Sequence, residues 1–582
     1  MGEFIEYTEP IWRSLNMREL KVDEAYLYLK SLYKKKTYLY MLSDECYTCP
    51  YTKLSSLQPS ADSDMANKID VLKLNVAHTL KLKVMDTDVG RYAFENQSTL
   101  CGLNEVDIQE FGVYNFTLNI NGSCDLSTDK PGVNVNFSIL SIILLVASIL
   151  SLIRITWCAW ITYRYDELAT TAGPATETVT TTTPTTTEIP KQRLRSLDTF
   201  RGLAIVLMIF VNSGGGAYWW IEHASWNGLH LADVVFPSFL WIMGVCIPMS
   251  VKSQLARGSS KLNINRKIIW RSVKFFLIGV VLNSINGPQL EMLRVMGVLQ
   301  RFGVAFFVCG VVHTCFSRMD YVMPQQTWKR AIHEIIMLKI ELLVMVGLII
   351  IHLGIIFGLP VQGCPKGYLG PGGKHANAAY PNCIGGAAGY IDRQILGDAH
   401  IYQHPTARYV YDSNAFDPEG LFGSLLTIVQ VLLGLIAGMI ILVHNEWRSR
   451  ITRWLTWSLL LALLGGLLCF FSKEEGPIPI NKNLWSLSFV FVTASLAFLL
   501  LSLLYFAIDV RQVWMGFPFQ QSGKNAIILY VGHTVMHKML PWHWKIGAMN
   551  THFVLLLEAV WNTILWIVIA LYLDARHFYY SL

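Results

Sequence analysis

Charged residues are scarce in this chain of 582 residues. Asp, Glu, Lys and Arg make up 15% of it and hydrophobic residues 53%, whereas roughly 25% of an average soluble protein is charged. This shortage excludes an intrinsically disordered chain and argues against a soluble enzyme. It is also uneven, because residues 1–136 hold 33 charged residues with a net charge of −5 and residues 137–582 hold 55 with a net charge of +11. Basic cytosolic loops of a membrane protein account for that excess, so no nucleic-acid partner is expected.

Two further absences bear on targeting and on metals. The first twenty residues contain acids and no apolar run, so no cleavable secretory signal is visible. Either the natural start is missing, or the first transmembrane helix exports the preceding domain. The pair Cys46 and Cys49 has no second Cys-x-x-Cys to complete a zinc site. We therefore expect a disulfide there rather than a redox or metal motif, and no metal in the protein.

Long apolar stretches dominate the rest of the chain. About 20 apolar helical residues cross the roughly 30 Å hydrocarbon core of a bilayer, where a helix satisfies its own backbone polar groups. We predict a polytopic α-helical membrane protein with about eleven transmembrane helices and a small N-terminal β-rich luminal domain. The predicted spans lie near residues 138–160, 200–220, 230–251, 268–286, 295–316, 335–358, 421–443, 454–472, 486–508, 525–541 and 552–573.

Loop charges predict the sidedness of these spans. Residues 252–267 hold five Lys and Arg and no acid, and residues 444–453 hold three Lys and Arg and one Glu. Both loops should face the cytosol, because basic loops stay on that side of the membrane. With eleven crossings, the N-terminus lies in the lumen and the C-terminus in the cytosol.

The predicted luminal segments have the chemistry of an exported protein. Four Asn-x-Ser/Thr acceptors for N-glycosylation fall in the N-terminal part, at Asn96, Asn115, Asn121 and Asn136. Each luminal segment also has an even number of cysteines, which predicts disulfides of open connectivity. The candidates are Cys46, Cys49, Cys101 and Cys124 in the N-terminal part and Cys364 and Cys383 in the long loop.

Composition divides the chain into four parts. Residues 1–136 form a glycosylated luminal domain, which is β-rich because apolar and polar residues alternate in several short runs. Residues 137–163 form the first transmembrane helix, and residues 164–194 form a Thr-rich cytosolic linker that cannot build a core. Residues 195–582 form a ten-helix transmembrane domain. Its luminal loop at 359–420 is long enough to be functional, and we expect it to cap a site.

Ionisable side chains inside apolar helices usually serve a function or pair with one another. The topology places a polar group near the luminal face, consisting of Asn212, His223, Asp233 and Arg301. At the cytosolic face it places a cationic cluster that could bind a phosphorylated cofactor, consisting of Arg195, Arg201, Arg271 and Lys274. Plainer interpretations stay open. The cationic cluster can be membrane anchors, Asp233 and Arg301 can form a structural ion pair, and a lone histidine such as His223 or His533 can be structural.

Longer motifs point to a family. The chain contains, in order, RLRSLDTFRGLAIVLMIFVNSGGGAYWW, HASWNGLHLADVVFP, GVLQRFG, CPKGYLGPGG, YPNCIGGAAGYIDRQILGD, YQHP, NKNLWSLSFV and YVGH. This series, over roughly residues 193–545, closely resembles the heparan-α-glucosaminide N-acetyltransferase family of lysosomal membrane enzymes. The resemblance implies acetyl transfer from cytosolic acetyl-CoA to the terminal glucosamine amine of heparan sulfate inside the lysosome, and a homodimer in the lysosomal membrane.

The resemblance also implies roles for residues. The active histidine of the family lies in the HASWNG motif and is His223 here, and Asn212 matches a family position close to it. With Asp233, these two form the predicted catalytic group. We predict that acetyl-CoA is bound by Arg195, Arg201, Arg271, Lys274 and Arg301. We predict that the sugar substrate is bound by Trp226, Asn227, Lys482 and His533.

His223 has two possible roles at the luminal end of a passage through the bundle. As a general base it takes a proton from the glucosamine amine, and as a nucleophile it first forms an acetyl-imidazole. Asn212 would orient the imidazole or donate to the developing oxyanion, and Asp233 would fix its tautomer or bind the amine. We favour direct transfer in a ternary complex. The alternatives to this function are a multispan transporter, for which we find no internal repeat, and an acetyltransferase acting on another glycan.

Overall fold

The computed structural model describes residues 10–58, 70–171, 194–285, 287, 289–317, 326, 329 and 332–580, with the backbone alone at 163–171. Residues 172–193 of the predicted Thr-rich linker lie outside the described residues.

The N-terminal domain is built from strands, as its alternating sequence predicts. They are β1 Ile11–Trp12, β2 Leu15–Asn16, β3 Glu24–Ser31, β4 Thr37–Ser43, β5 Tyr51–Leu57, β6 Asp70–Asn75, β7 Leu80–Met85, β8 Tyr92–Ala93, β9 Cys101–Val106, β10 Val113–Leu118 and β11 Cys124–Lys130. One sheet has the order β11-β10-β3-β6 and a second β8-β5-β4-β7-β9, with β10 parallel to β3. Leu27 and Phe116 of the first sheet pack with Leu82 of the second in a buried core.

Twelve helices of at least ten residues follow in the described chain. They are α1 Asn136–Thr171, α2 Arg195–Asn212, α3 Leu231–Ala256, α4 Lys261–Asn283, α5 Val298–Phe316, α6 Lys339–Gly358, α7 Gly386–Leu396, α8 Ser424–Val443, α9 Trp447–Leu468, α10 Leu487–Leu504, α11 Ala526–Val535 and α12 His552–Ala575. Shorter α-helices lie at His333–Met337, His375–Ala378, Ala407–Tyr411 and Phe519–Lys524, and a π-helical turn at Tyr505–Val510 extends α10.

Eight of these helices are long and apolar enough to cross a membrane within the described part of the chain: α1, α3, α5, α6, α8, α9, α10 with its extension, and α12. The fold class is therefore confirmed, but the count of eleven spans is not. The other three predicted spans coincide with α2, α4 and α11. The first two are rich in charge for membrane helices, and α11 has only 10 residues, or about 15 Å of helix.

Helix α8 forms the centre of the bundle and packs closely on α3. A Cβ at Gly434 would lie 2.0 Å from the Trp241 carbonyl oxygen, and one at Gly244 would lie 2.1 Å from that of Val431. Glycine on both helices thus lets the two backbones approach, as is usual where membrane helices pack tightly. By contrast, α1 is mostly exposed along its apolar length, which suits a helix surrounded by lipid.

The N-terminal domain docks on one end of the bundle, which we call the domain face. Asn550, just before α12, donates to the Leu20 carbonyl at 2.9 Å. The cap loop, residues 359–420, covers the same end, where Tyr411 donates to the Glu45 carbonyl at 3.2 Å. The other end of the bundle, where α2 and α4 begin, is called the opposite face.

Three disulfides occur among the predicted cysteines. They join Cys46 to Cys49, Cys101 to Cys124 and Cys364 to Cys383. The expectation of disulfides is confirmed, including one across the cap loop. Cys158, Cys246, Cys309, Cys315 and Cys469 are free thiols.

Candidate active site

The loop that carries His223 begins with a sharp turn after α2. Gly214 and Gly216 have φ angles of +89° and +78°, which glycine adopts without strain. A Cβ at Gly216 would also lie 2.9 Å from the Leu556 side chain of α12. The chain therefore turns back against α12 and rejoins the bundle at Leu231, the first residue of α3.

Asp233, in the first turn of α3, ties this loop to His223. Its Oδ2 accepts the backbone N–H groups of Ala224 and His230 at 3.2 and 3.0 Å. Its Oδ1 lies 2.8 Å from His223 Nδ1, and the residue is only 1% exposed. The carboxylate accepts the Nδ1 hydrogen, so the assigned tautomer leaves a lone pair on Nε2.

Lys482 reaches the same pair from the segment between α9 and α10. Its Nζ lies 2.9 Å from His223 Nδ1, 3.2 Å from Nε2 and 3.8 Å from Asp233 Oδ1. The ammonium group thus lies against the imidazole within reach of both ring nitrogens and closer to Nδ1. The structure thus brings Lys482 to His223 and Asp233, although Lys482 lies 259 positions after His223. All three were predicted as site residues.

A buried asparagine that sequence reasoning missed positions Lys482. Asn481 is fully buried, and its amide donates to Asn227 Oδ1 at 2.9 Å. Asn227 in turn donates to Glu474 Oε2 at 2.6 Å. The structure therefore gives Asn227, predicted to bind sugar, a link between the His223 loop and the Lys482 segment. Its place beside Lys482 in NKNLWSLSFV is the signal that could have identified Asn481.

The surroundings of His223 favour the neutral imidazole. Burial lowers its pKa, the Lys482 ammonium lowers it further, and Asp233 acts in the opposite direction. The net effect is a pKa below the ordinary value, although 38% of the side chain is accessible. A neutral imidazole with a free Nε2 lone pair serves equally as a base or a nucleophile.

Asn212 contacts a different histidine from the one it was predicted to orient. Its Nδ2 lies 3.0 Å from His533 Nε2, and His533 Nδ1 lies 2.9 Å from the Leu529 carbonyl. The imidazole thus donates through Nδ1 and accepts the Asn212 amide at Nε2. Within the described part of the chain, the Asn212 side chain thus pairs with His533 rather than with His223. Donation by Asn212 to an oxyanion stays a prediction.

Arg301 also differs from its predicted environment. Its guanidinium is 1% exposed, donates to the Gly420 carbonyl at 2.7 Å and stacks on Trp485 at 5.1 Å. It makes no ion pair with Asp233 among the described residues, so the structural pair considered from sequence is not formed. Arg301 instead supports the end of the cap loop beneath the site.

The end of the cap loop adds negative charge close to the site. Glu419 pairs with Arg294, whose Nη2 lies 2.6 Å from its Oε2. Although burial acts to raise it, Arg294 and Lys482 hold the pKa of Glu419 at about 2. Glu419 therefore stays ionised and balances the cations around it. Sequence reasoning missed this residue, since nothing in the loop marks it.

A cavity of about 500 Å³ runs between α2, α3, α4, α5 and α11. Its lining includes Arg201, Arg271 and Lys274 of the predicted cationic cluster, with Lys267 and Lys524 beside them. Mostly apolar side chains line the rest as far as Val298, the first residue of α5. The cavity is thus basic toward the opposite face and apolar toward the domain face, which fits a ligand with a charged head and a narrow apolar arm.

The cations of this cavity are not equivalent. The Arg271 guanidinium lies 5.0 Å from the Phe306 ring, and its Nε has no hydrogen-bond partner among the described residues. Arg201 lies 3.3 Å from the Gly523 carbonyl and 3.6 Å from Asp198. Arg195 is exposed and does not line the cavity described. The structure therefore supports Arg271 as an anion ligand and leaves Arg195 outside.

The cavity ends near the Asn212 and His533 pair. Met208 and Tyr530 line it, and residues three or four positions further along a helix lie on the same face. Asn212 and His533 occupy those positions on α2 and α11. They therefore stand one turn beyond the lining, toward the domain face.

Trp226 has no surface to offer a substrate. It is 1% exposed, donates its indole N–H to the Leu369 carbonyl at 2.8 Å and meets the Phe416 ring at 5.4 Å. Its predicted role in binding sugar is not supported, because its contacts lie in the core of the cap loop. Trp226 instead attaches the cap to the loop that carries His223.

Comparisons with known proteins identify the family. The family model described as heparan-alpha-glucosaminide N-acetyltransferase, catalytic, matches residues 193–356. The mouse protein named heparan-alpha-glucosaminide N-acetyltransferase is 36% identical over 610 residues, covering 97% of this chain and 89% of the mouse protein. The human protein of the same name is 36% identical over 622 residues, with the same coverage of both chains. This chain therefore belongs to the heparan-α-glucosaminide N-acetyltransferase family.

Proposed function

We propose that this protein moves the acetyl group of cytosolic acetyl-CoA to the terminal glucosamine amine of heparan sulfate in the lysosomal lumen. The observation that carries the proposal is the arrangement of one basic cavity and one histidine at opposite ends of the same bundle. Family membership supplies the reaction class. Acetyl-CoA is too highly charged to cross a bilayer, so its thioester has to meet the sugar amine inside the protein.

Acetyl-CoA enters, we propose, from the opposite face. Its phosphates contact Arg201, Arg271 and Lys274, since planar guanidinium and ammonium groups suit phosphate oxygens. Its pantetheine arm lies along the apolar lining and carries the thioester toward Met208 and Tyr530. A volume of about 500 Å³ is within the usual range for a small-molecule pocket.

His223 is proposed as the general base. The amine loses one proton before it attacks, and its nitrogen bonds to the thioester carbonyl carbon while His223 Nε2 takes a second proton. The carbon–sulfur bond then breaks, and the protonated His223 returns its proton to the CoA thiolate. The products are the acetamide, CoA thiol and one released proton.

Asp233 and Lys482 support this step. Asp233 holds the tautomer that leaves Nε2 free, and its buried charge stabilises the imidazolium that forms during the reaction. The Lys482 ammonium keeps the resting imidazole neutral and lies where it can stabilise the developing oxyanion. Asn212, at the end of the cavity, donates to the same oxygen.

Direct transfer in a ternary complex is the mechanism we propose. An acetyl group on Nε2 would have to displace the Lys482 ammonium, which lies 3.2 Å from that atom, so an acetyl-imidazole intermediate is disfavoured. Incubation with labelled acetyl-CoA and no sugar therefore leaves no label on the protein. Labelled His223 would establish an acetyl-enzyme instead.

The domain face is proposed to be luminal. The potential glycosylation sites Asn96, Asn121 and Asn136 are exposed on the N-terminal domain, and Asn115 is half-buried. The basic loops around residues 257–260 and 444–446 connect helices at the opposite face. We also propose a lysosomal membrane location and a homodimer, both implied by the family.

The sugar specificity has a direct test. Purified protein with acetyl-CoA is assayed against a panel of terminal amino sugars, including glucosamine, galactosamine and mannosamine at chain ends. The proposal expects acetylation of the terminal α-glucosamine of heparan sulfate fragments in clear preference to the others. Preference for another sugar, or no transfer to any of them, would refute it.

A further inference from the structure

His552 joins the N-terminal domain to the loop that carries the proposed base. It is the first residue of α12. Its Nδ1 lies 2.7 Å from the Gly216 carbonyl oxygen, and its Nε2 lies 2.9 Å from Glu110 Oε2 and 3.2 Å from Asp23 Oδ1. The ring is 2% exposed. Three separate segments of the chain thus meet on one imidazole.

All the partners of this ring are acceptors. A carbonyl oxygen and ionised carboxylates have no hydrogen to donate, so both ring nitrogens of His552 carry hydrogen and the group is an imidazolium. A positive charge at a helix N-terminus is otherwise unfavourable. The Asp23 and Glu110 carboxylates supply the negative charge that it needs.

Other groups near the imidazolium come from the same loop. The Tyr218 ring stacks on it with centroids 4.4 Å apart, and the Tyr218 hydroxyl donates to the Val135 carbonyl at 2.8 Å. Glu222 is a further carboxylate that interacts with it, and burial raises the pKa of Glu222. The loop is therefore held at Gly216 through His552 and at Tyr218 directly by Val135.

We propose that His552 is a positioning residue that lets the N-terminal domain set the position of His223. Asp23 and Glu110 hold the imidazolium, the imidazolium holds the Gly216 carbonyl, and the glycine turn fixes the start of the His223 loop. The proposal rests on the proposed role of His223. It gives the N-terminal domain a part in catalysis without contributing a reacting group.

The arrangement has a defined pH dependence. While His552 is protonated, it donates both to the Gly216 carbonyl and to the carboxylates. Above its pKa the ring loses one hydrogen, so one of the two links is lost as the pH rises. Removal of a carboxylate partner brings this loss to lower pH, because a neighbouring negative charge favours the charged imidazole.

The test compares Glu110→Gln and His552→Ala with Asn550→Ala as the matched control. Asn550 also links the domain to the start of α12 but does not contact the glycine turn.

For Glu110→Gln and His552→Ala, kcat should fall about 10- to 100-fold, since small displacements of a catalytic group have effects of this size. The KM for acetyl-CoA should stay within roughly twofold, because its cavity lies elsewhere. In Glu110→Gln the alkaline limb of kcat should move down by about one pH unit. The control should match wild type.

Several outcomes would overturn this proposal. Unchanged kcat in both variants would do so, as would equal losses in Asn550→Ala, which would indicate domain docking in general. A fall in Tm with parallel changes in kcat and KM would show that His552 has only a structural role. Glu110→Gln is included because it keeps the shape of the side chain and is therefore expected to fold. Loss of activity with a chelator and its recovery with Zn²⁺ would show that a metal ion, rather than a protonated His552, links these side chains. A fully active His223→Ala would instead refute the proposed function.

Discussion

Lys482→Met removes the cation nearest the proposed base. Its Nζ lies 3.2 Å from His223 Nε2 and helps to lower the pKa of that histidine. Without it, burial is no longer reinforced by a neighbouring cation, and the pKa of His223 rises toward its ordinary value. Because the base acts only when it is deprotonated, the acidic limb of kcat/KM should move to higher pH.

The size of this shift follows from the geometry. Two unit charges 3.2 Å apart repel by about 5 kcal/mol at an effective dielectric constant of about 20. His223 is partly open to solvent, so this value is an upper bound, and single neighbouring charges usually shift a pKa by about 1–3 units. We expect a displacement of about 1–2 pH units. At pH values below the wild-type pKa of His223 this lowers the rate by about 10- to 100-fold, since each unit is a factor of ten.

The assay is the pH profile of kcat/KM for acetyl transfer between about pH 4 and 9. Lys482→Arg keeps the charge and should keep the acidic limb nearly in place. Lys473→Met is the surface control, because that side chain is 49% exposed and lies 3.9 Å from Glu474; its profile should match wild type. An acidic limb that stays in place in Lys482→Met would refute the electrostatic reasoning. An equal loss of kcat/KM at every pH would indicate that Lys482 stabilises the oxyanion but does not affect the pKa of His223.

Three other variants test the cavity and the cap. Arg271→Ala should raise the KM for acetyl-CoA about 10- to 100-fold with little change in kcat, because hydrogen bonds to charged groups contribute about 1.5–3 kcal/mol; Arg195→Ala, outside the cavity, should change neither value. Trp226→Ala should lower the free energy of unfolding by about 3–5 kcal/mol through the cavity it leaves, and an unchanged Tm would contradict its place in the core. Replacing Cys364 and Cys383 by Ser should destabilise the protein by about 3 kcal/mol and expose the cap to limited proteolysis, whereas equal cleavage of both forms would argue against the crosslink.

Sequence periodicity predicted the fold class and the β-rich domain, because both patterns are local. It predicted eleven transmembrane spans, whereas eight helices of the described chain are long and apolar enough to cross a membrane. The difference comes from α2, α4 and α11, because α2 and α4 carry several charges and α11 has only 10 residues. Apolar composition alone does not distinguish such a helix from one that lies in lipid.

The site was predictable as far as local features reach. His223 and Asp233 are ten positions apart, and a polar turn between apolar helices identified both. Their contact with Lys482 spans 259 positions, and no single-sequence pattern encodes such a pairing. The family resemblance supplied Lys482, but its position against the imidazole required the fold.

Burial explains the predictions that were wrong. Trp226 lies in a motif that suggested a sugar platform, yet the cap loop encloses it. Arg301 was predicted to contact acetyl-CoA, with an ion pair to Asp233 as the open alternative, but its buried guanidinium donates to the Gly420 carbonyl. The cap-loop residues that enclose these two side chains lie 119 to 190 positions away in the sequence.

The central claim is that His223 is the general base of an acetyl transfer in which acetyl-CoA enters from the opposite face of the bundle. Its most direct test is single-turnover acetylation of a heparan sulfate fragment by His223→Ala, with acetyl-CoA binding measured on the same preparation. The account predicts a loss of at least about 100-fold in the rate, which is the lower end of general base catalysis, with unchanged affinity for acetyl-CoA. Transfer at a near wild-type rate by a variant that binds acetyl-CoA normally would contradict it.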